Sequence, residues 1–163
     1  MPRHDPEAPR RPSFGLSGTS HDEAEEAVDQ LVEELQAGWD RRDAEISNRH
    51  LAADVLWGSP FGATVSGYDD LHAIHLRLKA EGRGGPTSRY EVVHVLAPAP
   101  GVAVAQVRRV ALHAEGAADD AFPYATGSFS EMALYVLVRR GDGWWLLAGQ
   151  NTPIRPTPQA ALR

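Results

Sequence analysis

Two histidines three residues apart stand out in the segment GYDDLHAIH, residues 67–75. Leu71, Ile74, His75 and Leu78 occupy the i, i+3, i+4 and i+7 positions of one helical face, so His75 points toward the interior. An imidazole in an apolar pocket titrates near neutrality and serves as general acid or base. The plainer reading is a core histidine that makes one hydrogen bond and does nothing else. His72 lies one turn away, so a metal-binding pair is conceivable. Zinc, however, requires a third protein ligand and an organised second shell. The spacing of His50 and His94 supplies no such signature, and no metal or other cofactor is expected.

Polar groups on strand-like segments are the next candidates. In the final run GWWLLAGQNT, Gln150 and Asn151 fall on opposite faces by simple alternation. Counting by twos puts Asn151 with Trp145 and Leu147, and Gln150 with Trp144 and Leu146. We expect Asn151 to be the inward amide, where a ligand carbonyl or hydroxyl would satisfy it. Glu131 shares a face with Ala133, Tyr135 and Leu137. It is either a buried base with a raised pKa or an ordinary carboxylate at the exposed start of a strand. Arg108 and Arg109 face opposite ways, one inward and one solvated. Trp39, Trp57, Phe61 and Tyr135 serve equally as core or as the walls of a pocket for a flat apolar ligand. Of Trp144 and Trp145, the one facing away from the helices is a candidate protein contact.

These groups need elements to hold them. Residues 1–19 are rich in Pro, Arg and small residues and read as a flexible tail, with Phe14 and Leu16 as anchor points. Ser20 and Glu23 have capping-box spacing, and Ala24, Ala27, Val28, Leu31, Val32, Leu35 and Trp39 then recur at helical intervals. A short helix follows from Asp43 to about His50, then a strand at 54–57, broken by Ser59, Pro60 and Gly62. A third helix spans roughly 68–81 and ends in a glycine-rich run at Gly82, Gly84 and Gly85. The second half reads as strands over 89–96, 101–113, 128–140 and 143–152, the last two joined by the hairpin signal Gly141-Asp142-Gly143. Residues 115–126 are polar and long for a hairpin connection, either a loop at a pocket mouth or a plain disordered link. Helices first and an antiparallel sheet afterwards indicate α+β architecture. The folded domain is expected over 20–155, with a short tail over 156–163.

Composition narrows the classes. The chain has 163 residues, 42% of them apolar, and can bury a real core. It contains no cysteine, so disulfides and thiolate chemistry are excluded. A net charge of −6 without a basic stripe argues against a nucleic-acid partner. No apolar run approaches membrane-spanning length, and the basic N-terminus has no apolar stretch behind it, so neither a membrane span nor a secretory leader is expected and the cytoplasm is the anticipated compartment. No Gly-x-Gly-x-x-Gly fingerprint follows a strand.

Three places together resemble the SnoaL-like polyketide cyclases of the nuclear transport factor 2-like superfamily, and in particular the SgcJ/EcaC-like branch. They are AGWDRRD (37–43) followed by DVLW (54–57), GYDDLHAIH (67–75), and the closing hairpin whose Trp145 and Gln150-Asn151-Thr152 resemble that branch most closely. The resemblance spans about residues 22–154. It implies a curved sheet wrapped round a helical layer, a pocket inside the cone, and frequently a homodimer. It also implies an apolar small-molecule ligand. The activity expected is cofactor-independent isomerisation, cyclisation or dehydration of a polyketide-like intermediate, with His75 as acid–base catalyst and Asn151 orienting the substrate. Trp39, Trp57, Phe61, His72, Tyr135 and Glu131 would complete the binding site. The inward carboxylate common among better-known relatives has no match here. A non-catalytic small-molecule binder and a dimeric interaction module stay open beside the enzyme.

Overall fold

The computed structural model describes residues 10–81, 87–112 and 129–154. The N-terminal tail before residue 10, the Gly82–Gly85 run, the 115–126 connection and the tail beyond 155 lie outside the described residues. Elements follow in the order α1 (Thr19–Asp40), α2 (Ala44–Asn48), β1 (Leu51–Gly58), β2 (Thr64–Ser66), α3 (Tyr68–Ala80), β3 (Ser88–Ala99), β4 (Val102–Ala111), β5 (Glu131–Arg140) and β6 (Gly143–Pro153). The six strands form one sheet in the order β2-β1-β6-β5-β4-β3. All pairs are antiparallel except β1 with β6, which is parallel. The architecture is the expected α+β cone, with helices held in the curve of the sheet. Among the described residues, no helix is long and apolar enough to cross a membrane.

The apolar stripe of α1 accounts for the core. Ala24, Ala27, Val28, Leu31 and Leu35 are buried against Ala97, Ala103, Ala105, Val107, Leu137 and Leu146 from the sheet, with Leu71 of α3 joining them. Alanines at the centre of β4 let the long helix lie close to the strands. The start of α1 differs from expectation. The helix begins at Thr19, its N-cap is Gly18 at φ 65°, and no side chain caps it. Ser20 therefore sits inside the first turn and cannot form a capping box, which needs an extended N-cap residue. Ahead of the helix, Leu16 N–H donates to the Ala97 carbonyl at 2.9 Å, which pins this part of the tail to β3.

Between α1 and α2 the chain turns sharply at Arg42, φ 53°. Asp43 then caps α2, accepting from the Glu45 and Ile46 amides at 2.8 and 3.3 Å. Gly38 makes this fit possible, because a Cβ there would collide with Ser47. The last two strands carry the second departure. The β5–β6 register shifts after Val136 pairs with Ala148, since Leu137 then pairs with Leu146, leaving Leu147 as the extra residue of a bulge. Alternation reverses there. Leu146, Gly149 and Asn151 are buried, whereas Trp145 and Gln150 are exposed. Asn151 thus faces inward as expected, but with Leu146 and Trp144 rather than with Trp145 and Leu147.

Gly149 is the point where this inward face meets β1. A Cβ on it would stand 2.8 Å from the Trp57 ring and 3.1 Å from Tyr135. Replacing Gly149 with Ala is expected to overpack the interior and to cost about 1–3 kcal/mol. In urea denaturation the midpoint should fall with the slope unchanged; an unshifted midpoint would mean that Trp57 has room to move.

Candidate functional site

Inside the cone, Trp57 on β1 joins groups from three elements. Its ring lies stacked on Tyr135 of β5, with centroids 6.1 Å apart, and edge-on to His75 of α3 at 5.6 Å. The next residue, Gly58, accepts from Asn151 Nδ2 at 3.2 Å. Because that partner is a carbonyl, the amide nitrogen must face it, and Asn151 Oδ1 is left for something else. Trp57, Tyr135, His75 and Asn151 therefore form one cluster. Among the described residues the Tyr135 hydroxyl, Asn151 Oδ1 and His75 Nε2 have no hydrogen-bond partner, yet no buried side-chain N or O atom is unsatisfied.

Behind His75 runs a chain of hydrogen bonds that the sequence did not reveal. His75 Nδ1 meets Asn48 Oδ1 at 2.8 Å, Asn48 Nδ2 meets His72 Nδ1 at 2.9 Å, and His72 Nε2 meets Glu45 Oε1 at 3.0 Å. Asn48 is 1% exposed and spends both ends of its amide on the two rings. With the amide in this orientation its oxygen can only accept, which calls for a proton on His75 Nδ1 and a lone pair on Nε2. His72 stacks on Tyr68 with centroids 5.0 Å apart, so its contacts lie on the far side of Asn48 from the Trp57 ring. The histidines are joined through an amide rather than converging on one point, and among the described residues no group of three or more His, Asp or Glu could hold a metal ion.

Lys79, one turn beyond His75, donates to the Gly38 carbonyl at 2.9 Å and to Ser47 Oγ at 3.1 Å. Burial lowers its pKa, against the pull of Asp43. For His75 burial is the main effect, reinforced by Lys79 and His72, and the pKa falls from 6.5 to about 4. The direction differs from the expected titration near neutrality, because desolvation disfavours the charged ring. Burial works in the opposite sense on Tyr135, which is held well above its usual range, with Tyr90 and Glu131 adding to the effect. Its phenol stays protonated and can donate.

At one end of the sheet, a second cluster surrounds Arg109, the inward member of the arginine pair. It donates to Glu131 at 2.9 Å, to Ser88 Oγ at 2.8 Å and to the Phe129 carbonyl at 2.8 Å, and its guanidinium lies 4.4 Å from the centroid of Trp39. Trp39 in turn meets Tyr90 edge-on. Glu131 is thus engaged as the counterion of a buried arginine, and Trp39 is the shelf under that arginine. Arg108 lies on the outer face, paired with Glu91. Phe61 is half-exposed and touches Phe129 edge-on at 5.6 Å, a position at the rim rather than in a wall. Trp145, the outward tryptophan, rests against His50. A separate cavity of about 140 Å3 lies between α1 and the β5–β6 hairpin, lined in part by Leu31, His50, Trp144 and Leu146.

The sequence does not mark Ser88 at the start of β3, nor Asn48 and Glu45 on α2. A five-residue helix offers no periodicity from which an inward residue could be read.

No protein-family model matches the chain. No curated protein matches it either. Solved structures do. A domain of unknown function with a cystatin-like fold from Nostoc punctiforme is 17% identical, with a TM-score of 0.69, covering 90% of this chain and 83% of the other. A ketosteroid isomerase-like protein from Erwinia carotovora is 16% identical with a TM-score of 0.62, over 80% of this chain and 96% of its own. An NTF2-like protein of unknown function from Pseudomonas putida is 17% identical, TM-score 0.61, over 90% and 95%. The fold of this chain is accordingly NTF2-like.

The His75 assignment has a measurable consequence. Its folded pKa lies below the unfolded value, so the unfolded chain binds the extra proton first. The stability this ring contributes is complete above about pH 6.5 and should be lost as pH falls through about 4. NMR should find the His75 ring neutral at pH 6, with its midpoint near 4. A midpoint near 6.5 would show that the ring is far better hydrated than its packing indicates.

Proposed function

We propose that this protein is a cofactor-independent proton-transfer enzyme acting on an apolar small molecule that carries a carbonyl. The observation that carries this reading is His75, held through Nδ1 by Asn48 with its Nε2 unpartnered among the described residues, beside the same tryptophan that packs on the Tyr135 phenol. In the proposed step, His75 Nε2 removes a proton from the carbon next to the carbonyl. The Tyr135 hydroxyl donates to the oxygen on which negative charge develops, and Asn151 Oδ1 accepts from a substrate hydroxyl. The protonated ring then returns the proton to another carbon, which gives isomerisation, or to a leaving hydroxyl, which gives dehydration.

A pKa of about 4 makes His75 a weak base, comparable to the aspartate of ketosteroid isomerases, a case in which a base of modestly raised pKa, about 4.6, suffices beside a strong oxyanion site. The ketosteroid isomerase-like neighbour from Erwinia carotovora is in keeping with such chemistry on this fold, though fold alone does not decide function. Membership of the SgcJ/EcaC-like branch, a polyketide-like substrate and a homodimer complete the proposal and rest on the sequence motifs; a cytoplasmic setting rests on the cysteine-free composition.

The test needs no knowledge of the natural substrate. A panel of apolar ketones incubated with the protein in D2O is followed by proton NMR for loss of the hydrogens next to the carbonyl. Catalysed exchange is expected for some members. It should drop by a factor of about 10²–10⁴ in His75→Gln, the usual worth of a positioned acid or base, and by about 10²–10³ in Tyr135→Phe, the worth of one oxyanion donor. Binding of the ketones without exchange in the wild type would replace the enzyme with a small-molecule carrier.

A further inference from the structure

Glu45 projects from α2 at the outside of the molecule, and its side chain is 71% exposed. It nevertheless stands at the head of the chain that ends at His75. Every hydrogen bond in that chain has a direction, and the directions are linked. A carboxylate can only accept, so His72 must hold its proton on Nε2, where Glu45 lies at 3.0 Å. His72 Nδ1 then has only a lone pair, which obliges Asn48 to turn its NH2 toward His72. The Asn48 oxygen is thereby turned toward His75, whose Nδ1 must donate. Reversing the Asn48 amide would set the lone pair of His72 Nε2 against the carboxylate.

We infer that Glu45 is a positioning residue whose negative charge fixes the polarity of the Glu45–His72–Asn48–His75 chain, so that His75 faces the cone as a hydrogen-bond acceptor and base rather than as a donor. The inference rests on the proposed function only for its effect on rate; the tautomer itself is a property of the folded chain. The chain has two self-consistent arrangements. In the second, the amide is flipped, His72 carries its proton on Nδ1 and His75 on Nε2, and the pocket is offered an N–H in place of a lone pair. All atoms but the protons and the amide ends stay where they are, so the choice between them falls to whatever stands at position 45. His72, only 14% exposed and covered by Tyr68, receives that influence in a site where water competes poorly.

The experiment is long-range nitrogen–proton correlation NMR at pH 7 on the full-length protein, resolving which nitrogen of each ring is protonated. In the wild type, His75 should show a protonated Nδ1 and a bare Nε2, and His72 the reverse. Glu45→Gln should convert the single form into two, because a carboxamide offers an acceptor or a donor to His72 and no longer prefers either direction. The variant lies on the surface and should fold as the wild type does. Asn48→Asp tests the route. A carboxylate at the centre accepts from His75 whatever stands at position 45, so the double variant with Glu45→Gln should restore a single Nδ1-protonated His75. A wild-type His75 protonated on Nε2 would overturn the inference, and so would a Glu45→Gln spectrum identical to that of the wild type. The ketone-exchange assay separates the two proposals. If the tautomer shifts and no exchange is seen in any form, the polarity chain stands and the enzyme reading falls. If exchange is seen and Glu45→Gln changes neither tautomer nor rate, the reverse holds.

Discussion

The amide of Asn48 is the interaction on which the interior of this protein turns. It is the buried polar group that joins the small helix α2 to the long face of α3, and both its ends are committed. A buried carboxamide left with one end unpaired would carry a desolvation cost of about 1–3 kcal/mol. That cost holds the two histidines to their places. The means of presenting Asn48 are themselves specific: the turn at Arg42, the cap by Asp43, and a glycine at position 38 where any side chain would strike α2. Lys79 closes the same corner by capping the carbonyl of that glycine. The result is an imidazole whose orientation is set from behind by Asn48, while its other side packs edge-on against Trp57.

The opposite wall of the site depends on a single extra residue. Without Leu147 standing out of register, alternation along β6 would carry Gln150 inward, and the longer side chain would meet the space that Trp57 and Tyr135 now share above Gly149. The bulge, the glycine and the stacked rings are thus one arrangement. It leaves Trp144 on the core side and Trp145 outside against His50. Arg109 organises the neighbouring end of the sheet by a different means. A guanidinium can satisfy several acceptors while lying flat on an aromatic ring, and it binds the starts of β3 and β5 to the end of β4.

Much of this could be read in the sequence because it follows from periodicity. The α1 stripe, the inward face of α3, the hairpin at Gly141–Gly143 and the antiparallel second half are all repeated patterns, and a repeated pattern survives local error. What stayed hidden was set by single residues acting at a distance. Simple alternation gives the wrong parity along β6 because a bulge carries no compositional mark, so it turns Asn151 inward with the wrong neighbours. The cap at Ser20 has the right spacing, but Gly18 with positive φ starts the helix two residues sooner. Asn48 and Glu45 sit on a helix too short for a moment, and their partners are 24 to 27 residues away. His75 itself was legible; that it would be neutral was not, because desolvation and the approach of Lys79 are facts of packing.

In the proposed mechanism, the choice of base follows from the charges this interior can hold. Glu131 is the carboxylate on the inward face of the sheet beside the cluster, and it is spent on Arg109. An ionised carboxylate placed next to Trp57 would need its own buried partner, whereas a neutral imidazole needs none. Histidine brings a different liability, since it has two nitrogens and either may hold the proton. A base that is a donor half of the time is half a base. A carboxylate avoids this by symmetry, and an imidazole avoids it only if its second nitrogen is made to donate. An amide acceptor alone does not guarantee that, because an amide can turn round. Anchoring the amide through a second histidine to a carboxylate at the surface removes the freedom while keeping the negative charge in water, where it costs little. On the proposed reading, the chain from Glu45 to His75 gives an apolar cone a base of defined direction without burying a charge in it.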